Sequence, residues 1–174
     1  MKWVSEDFKN LRALWVSQLR VLLSAEEQIV RALPDMFTHA SDAELRQAFQ
    51  SHLQESEVHV KRLEQILAEH RHAHADAGTT APMKCKALTA MKAETEDIMV
   101  DARHAWVRDA ALIAVAQRVE HYQIASYGTV RQWAHVLGET AAAELLDKSA
   151  KEERHADHLL TEIAERVNSK AKAA

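Results

Sequence analysis

The 174-residue chain is 47% apolar, has 3 Gly, 2 Pro and 1 Cys, and sets 22 basic against 26 acidic residues for a net charge of −4. Scarce turn residues and abundant Ala, Leu, Glu, Gln, Lys and Arg favour long helices in a single domain, residues 1–174, large enough to bury a core. The charge balance offers no basic face for nucleic acid, one cysteine gives no intrachain disulfide framework, and no apolar run approaches the ~20 residues of a membrane span. The first residues lack the hydrophobic core of a signal peptide, so the expected location is the cytoplasm.

Ser5-Glu6-Asp7 reads as a helix cap with acidic first-turn residues. Apolar residues then recur at helical spacing from Phe8 to Leu33, which predicts a first helix over about 6–33, stopped near Pro34. Glu26 lies four residues after Leu22 and three before Ile29, so it faces inward. Ser41-Asp42-Ala43-Glu44 reads as a capping box for a second helix over about 41–70. The inner stripe of that helix places His52, Glu55 and His59 between apolar ends at Leu45 and Ile66.

Residues 70–82 form the one clear linker, with His70, His72 and His74 at alternate positions. A solvated helix end is the better reading of these histidines, and a passing metal site the lesser one. A shorter crossover helix over about 83–101 carries Met83, Leu88, Met91 and Ile98 on one side, and Cys85 there reads as a packed thiol. A further helix over about 106–135 presents Leu112, Ile113, Ala116, Glu120, Gln123 and Tyr127 on one face. Gly138 separates it from a last helix, about 139–168, whose inner stripe holds Glu153 and Asp157 among leucines and alanines. The tail from Asn168 is expected to fray.

The two halves repeat. Glu26 superimposes on Glu120, and Glu55 with His59 superimposes on Glu153 with Asp157. Residues i and i+4 on a helix point the same way to within about 40°. Glu55/His59 and Glu153/Asp157 therefore each present two ligands, and Glu26 and Glu120 add one each. A ferritin-like four-helix bundle with one long crossover places such residues around a metal pair. Five carboxylates and one imidazole make a hard, oxygen-rich set that suits two iron or manganese ions per chain.

Plainer readings exist for each residue. One carboxylate on an apolar stripe is half the time an ion-pair partner or a surface group, although four in symmetric places argue against that. His52 reads better as a hydrogen-bonding or core residue around the ligands than as a ligand, and Gln123 and Tyr127 are placed with it in that supporting layer. His121 reads as lying between helices, and His155 and His158 as solvated.

The segments Ser24-Ala25-Glu26-Glu27-Gln28, Ala48 through Glu55, Met83-Lys84-Cys85-Lys86-Ala87-Leu88, and Asp109 through Glu120-His121-Tyr122 to Tyr127-Gly128-Thr129 resemble the YciE/YciF family of ferritin-like proteins. The resemblance spans roughly residues 8–165, and Glu120 to Thr129 is its most specific part. It implies a ferritin-like bundle with an added helix, a rubrerythrin-like di-metal centre, a homodimer and a bacterial stress association. Carried over by position, the implied ligands are Glu26, Glu55, Glu120, Glu153 and Asp157. This chain departs from the family in having His59 where Gln is usual and Gln123 where Glu is usual. The expected chemistry is oxidation of Fe(II) by oxygen or peroxide; the alternatives are a non-enzymatic metal-binding stress protein and a structural bundle with a vestigial site.

Overall fold

The computed structural model describes residues 8–73 and 83–174; the expected Ser5–Asp7 cap and His74 lie outside them. Five helices follow in order: α1 Leu11–His39, α2 Ala43–Ala73, α3 Lys86–Asp101, α4 Ala105–Leu137 and α5 Thr140–Lys172. No strand occurs among the described residues. α1 packs on α2 and α4, and α5 packs on α4 and α2, closing a ring of four; α3 lies against α4 and α1. The short turns between α1 and α2 and between α4 and α5 make two hairpins, and the connection between them carries α3. This is the ferritin-like four-helix bundle with a crossover helix.

The core falls into two apolar clusters. One gathers Ala25, Leu33, Leu45, Phe49, Leu112 and Leu160. The other gathers Trp15, Leu19, Leu63, Tyr127 and Leu146. On α1, α2, α4 and α5 alike, buried Glu26, His52 and His59, Glu120 and Glu153 sit in the interval between the two clusters. The bundle therefore has apolar plugs on either side of a polar middle layer.

Pro34 does not stop the first helix; it lies inside α1, which runs on to His39. Proline removes one ladder bond and costs about 3 kcal/mol in a helix interior. Pro34 is exposed, whereas the extra turn buries Met36 and brings Ala40 into the core. Burying a side chain such as Met36 returns about 1.5–3 kcal/mol, which offsets most of the loss. The tail is also more ordered than expected. α5 continues through Lys172, and the Lys170 ammonium sits 4.0 Å from the centre of the Trp106 ring, tying the last turn to α4. Gly138 ends α4 with φ 77°, a left-handed conformation that suits glycine.

The cap of α2 is Asp42 rather than Ser41. Its Oδ1 accepts from the backbone N–H of Glu44 (3.0 Å) and Leu45 (3.1 Å). Glu44 does not reach back as a capping box requires, because it pairs with Arg166, which also grips Asp42. The hydrogen bond from Arg166 holds the Asp42 carboxyl at about 2 against the opposing effect of burial. Asp109 of α4 is fully buried and accepts the N–H groups of Ser41 and Asp42, each at 2.8 Å. One carboxylate thus ties the α1–α2 turn to the other hairpin. Asp109→Ala leaves two backbone donors unsatisfied and should cost about 3 kcal/mol. The expected result in a thermal melt is a fall of about 6–12 °C, with Asp109→Asn between the two proteins.

Candidate metal centre

Four helices each aim a carboxylate or imidazole at the middle layer. Glu26 comes from α1, His52 and His59 from α2, Glu120 from α4 and Glu153 from α5, and none is more than 6% exposed. They form two trios, Glu26–His59–Glu153 and His52–Glu120–Glu153, with the ligand atoms of each trio all within 4.8 Å of one another. Glu153 belongs to both. Its Oε1 lies 3.2 Å from His59 Nδ1 and its Oε2 lies 3.9 Å from His52 Nε2. Glu26 Oε1 is 3.1 Å from His59 Nδ1, and Glu120 Oε1 is 3.3 Å from His52 Nε2.

Of the six residues expected as ligands, the structure brings together Glu26, His59, Glu120 and Glu153. Glu55 and Asp157 stand outside both trios, with side chains 34% and 21% exposed. Glu55 Oε2 is 3.8 Å from His52 Nδ1 on the outer side of that ring, and Asp157 Oδ1 is 3.5 Å from His121 Nε2. The reason is helical rotation. A step of four residues turns the side chain about 40° off the line, whereas a step of seven returns it to within about 20°. His52 and His59 are seven apart, so both point inward and Glu55 falls to one side. The same seven-residue line runs through Leu19–Glu26–Leu33, Ile113–Glu120–Tyr127 and Leu146–Glu153–Leu160, all buried. That line was the signal for His52.

A residue that the sequence reading missed is Glu152, half-buried beside Glu153. Its Oε2 lies 2.8 Å from His59 Nε2, and it forms a two-pronged ion pair with Arg62, whose Nη1 also donates to Ser149 Oγ at 3.0 Å. With Nε2 held by Glu152, His59 turns Nδ1 toward Glu26 and Glu153, and that nitrogen becomes the ligand atom once a metal displaces its proton. Tyr127 donates its hydroxyl to Glu26 Oε1 at 2.5 Å, as the sequence led us to expect. Gln123 is fully buried one turn from Glu120.

The histidines read as peripheral divide. His121, His155 and His158 are exposed, and His121 reaches across from α4 to Asp157 of α5. His70 is not solvated: it is 5% exposed at the end of α2, edge-on to Trp15 with ring centres 5.5 Å apart. Cys85 is buried as expected, its Sγ 3.3 Å from Tyr122 Oη.

Electrostatics inside the cluster are severe. Burial pushes the Glu120 carboxyl well up against the pull of His52, and burial followed by the Glu153 charge pushes Glu26 up. Burial works against charge on the histidines too, but the surrounding carboxylates win and raise His52 to about 10 and His59 to about 11. Burial is likewise overcome at Glu153, which the two histidines hold at about 2. In the metal-free protein protonated His52 and His59 therefore face an ionised Glu153, while Glu26 and Glu120 resist ionisation. Even so, Glu26 Oε2, Glu120 Oε2, both Glu153 oxygens and both His52 nitrogens are buried without a hydrogen-bond partner. Such orphaned atoms are costly in a folded interior. They are also the donor atoms that hard divalent cations take, so the residues present fit a metal pair.

The comparisons agree with this architecture. The family described as Domain of unknown function DUF892 matches residues 10–173. Protein YciF of Escherichia coli K12 is 37% identical over 166 residues, covering 95% of this chain and 97% of that one. The crystal structure of the E. coli stress protein YciF superimposes with a TM-score of 0.85 at 36% identity, covering 94% of this chain and 99% of the other. YcfI from Rhodopseudomonas palustris, whose description proposes a structural role, follows with a TM-score of 0.82 at 32% identity, covering 91% and 98%. No helix among the described residues is long and apolar enough to cross a membrane. By sequence and by structure, this chain belongs to the DUF892 family, the family of YciF.

Proposed function

We propose that the chain holds two first-row metal ions, iron or manganese, in the middle layer of the bundle. Glu153 is the shared carboxylate, with Glu26 and His59 on one side and His52 and Glu120 on the other. The observation that carries this is the pair of trios meeting at Glu153, built from orphaned buried donor atoms of four helices. Glu55, 3.8 Å from His52, serves as a carboxylate that orients that ring, and Asp157 belongs with His121 rather than with the pair.

An iron pair, when bound, supplies electrons to dioxygen or peroxide, and oxidation of Fe(II) under stress is the activity we assign. The chain's own part is to hold and dehydrate. Glu152 and Arg62 fix the His59 tautomer, Tyr127 steadies Glu26, and the two apolar clusters keep bulk water from both ends. A second reading has its own support: protonated His52 and His59 already balance much of the buried charge, and YcfI is described in structural terms. In that reading the cluster is a salt-bridge network without metal.

Metal titration separates the two. Anaerobic Fe(II) or Mn(II) should bind at two ions per chain and raise the melting temperature. Glu26→Gln should retain one ion, and Glu153→Gln should retain none. Absence of binding in the wild-type protein would favour the salt-bridge network. Continued Fe(II) oxidation well beyond two equivalents marks an enzyme, whereas a stop at two marks a storage or sequestering protein.

Protons compete with the metal. His52 and His59 keep theirs up to about 10 and about 11 when metal-free, so binding must expel them. Apparent affinity should therefore rise between about pH 6 and pH 9, by about tenfold per pH unit for each proton released. Calorimetry in buffers of different ionisation enthalpy counts those protons. For the metal-free fold the sign is set by the raised values. The histidine pairs contribute fully below the unfolded imidazole pKa of about 6.5, and the contribution is lost as pH rises through 10 and then 11. The melting temperature of metal-free protein should therefore fall from about pH 6.5 upward and level off above about pH 11.

A further inference from the structure

A cavity of about 240 Å³ opens beside the His52–Glu120 end of the cluster and draws its lining from all five helices. Its walls include Leu33, Phe49, Leu88, Val115 and Leu160, each no more than 4% exposed. Its deep end is therefore set into the core, and its mouth opens between α1 and α3. Voids of this size are rare in close-packed interiors and cost stability. Met36, Met91 and Met99 also line it, and their unbranched side chains let the walls adapt to an occupant.

The chemistry of an occupant follows from what lines the two ends. At the inner end stand Glu120 and His52, buried, with Glu120 Oε2 and both imidazole nitrogens lacking a hydrogen-bond partner. Near the surface, exposed Asp35, Lys92 and Glu96 mark a rim between α1 and α3. Lys92 is the one lysine or arginine among the described lining residues, and it is paired with Glu96 at 3.5 Å. Even with a proton on His52, the acids Asp35, Glu55, Glu96 and Glu120 outnumber the bases Lys92 and His52 along the lining, which disfavours anions. An apolar cavity of about 150 Å³ holds one benzene ring, so this chamber accommodates about ten non-hydrogen atoms.

We infer that the chamber admits an uncharged aliphatic molecule of about ten non-hydrogen atoms bearing one hydroxyl or carbonyl oxygen, and presents that oxygen to the Glu120–His52 side of the cluster. Its role as a substrate chamber rests on the metal-pair reading above; its capacity to bind does not.

The test uses 1-nonanol as the probe and octanoate as the anionic control, by calorimetry on the full chain, metal-free and loaded with Mn(II). In the metal-free protein one saturable 1-nonanol site is expected, at least about tenfold tighter than octanoate, a difference of about 1.4 kcal/mol. Ala116→Leu and Ala32→Phe fill the chamber from two different helices. Each should weaken 1-nonanol by at least about tenfold while leaving the helical circular dichroism and the manganese stoichiometry unchanged. If Ala116→Leu fails to fold, Ala32→Phe decides. In the manganese-loaded protein, 1-nonanol should alter the Mn(II) electron paramagnetic resonance spectrum, and the filled variants should show no alteration. No saturable binding, equal binding of octanoate, binding untouched by the filled variants, or a manganese spectrum blind to the bound alcohol would each overturn the inference. Alcohol binding in a protein that takes up no metal would uphold the binding site and remove the metal pair, so the two failures are told apart.

Discussion

One carboxylate, Glu153, meets two imidazoles at the centre of the bundle, and the rest of the architecture accommodates that meeting. A buried carboxylate is tolerated only when charge and hydrogen bonds surround it. Here His59 and His52 approach its two oxygens from the same helix, and Glu26 and Glu120 close the ring from the two helices opposite. The apolar clusters above and below lower the dielectric around the layer, which strengthens the interactions inside it and makes unpaired atoms expensive. Outside the ring, Glu152, Arg62 and Tyr127 hold His59 and Glu26 in orientation. Small departures in any helix would move a donor away from the shared carboxylate.

Much of this was legible in the chain. Long helices followed from the scarcity of Gly and Pro and from apolar spacing, and the buried acids followed from their positions between leucines. The resemblance of the Glu120–Thr129 stretch to the YciE/YciF family pointed to the bundle that the structure displays. Where the structure departs from the expected arrangement, the departures share one cause. A template of residues four apart favours Glu55 and Asp157, yet the bundle keeps seven-residue lines facing inward, and these carry His52 with His59 and leave Glu55 at the edge. Glu152 was hidden because the residue just before an inward one normally faces away; Arg62 on the adjoining helix draws it back to His59.

The helix boundaries teach a related lesson about competition between local and tertiary terms. Proline at position 34 is a strong local stop, but the burial of Met36 and Ala40 beyond it carries the helix another turn. Ser41 looked like the cap, but Asp42 can cap α2 and pair with Arg166 at once, while Asp109 takes up the backbone donors of both residues. In each case a partner distant in sequence decided between two locally reasonable outcomes. Such partners are invisible until the fold places them side by side.

The central claim is that two ions share Glu153. X-ray absorption spectroscopy on protein loaded anaerobically with two equivalents of Fe(II) addresses it most directly, because it sees each ion's neighbours. The account predicts oxygen and nitrogen ligands with imidazole scattering and a second metal within about 4 Å, that feature vanishing in Glu153→Gln. Iron surrounded by water-like oxygens, with no imidazole and no second metal, would contradict it and leave Glu153 the centre of a salt-bridge network alone.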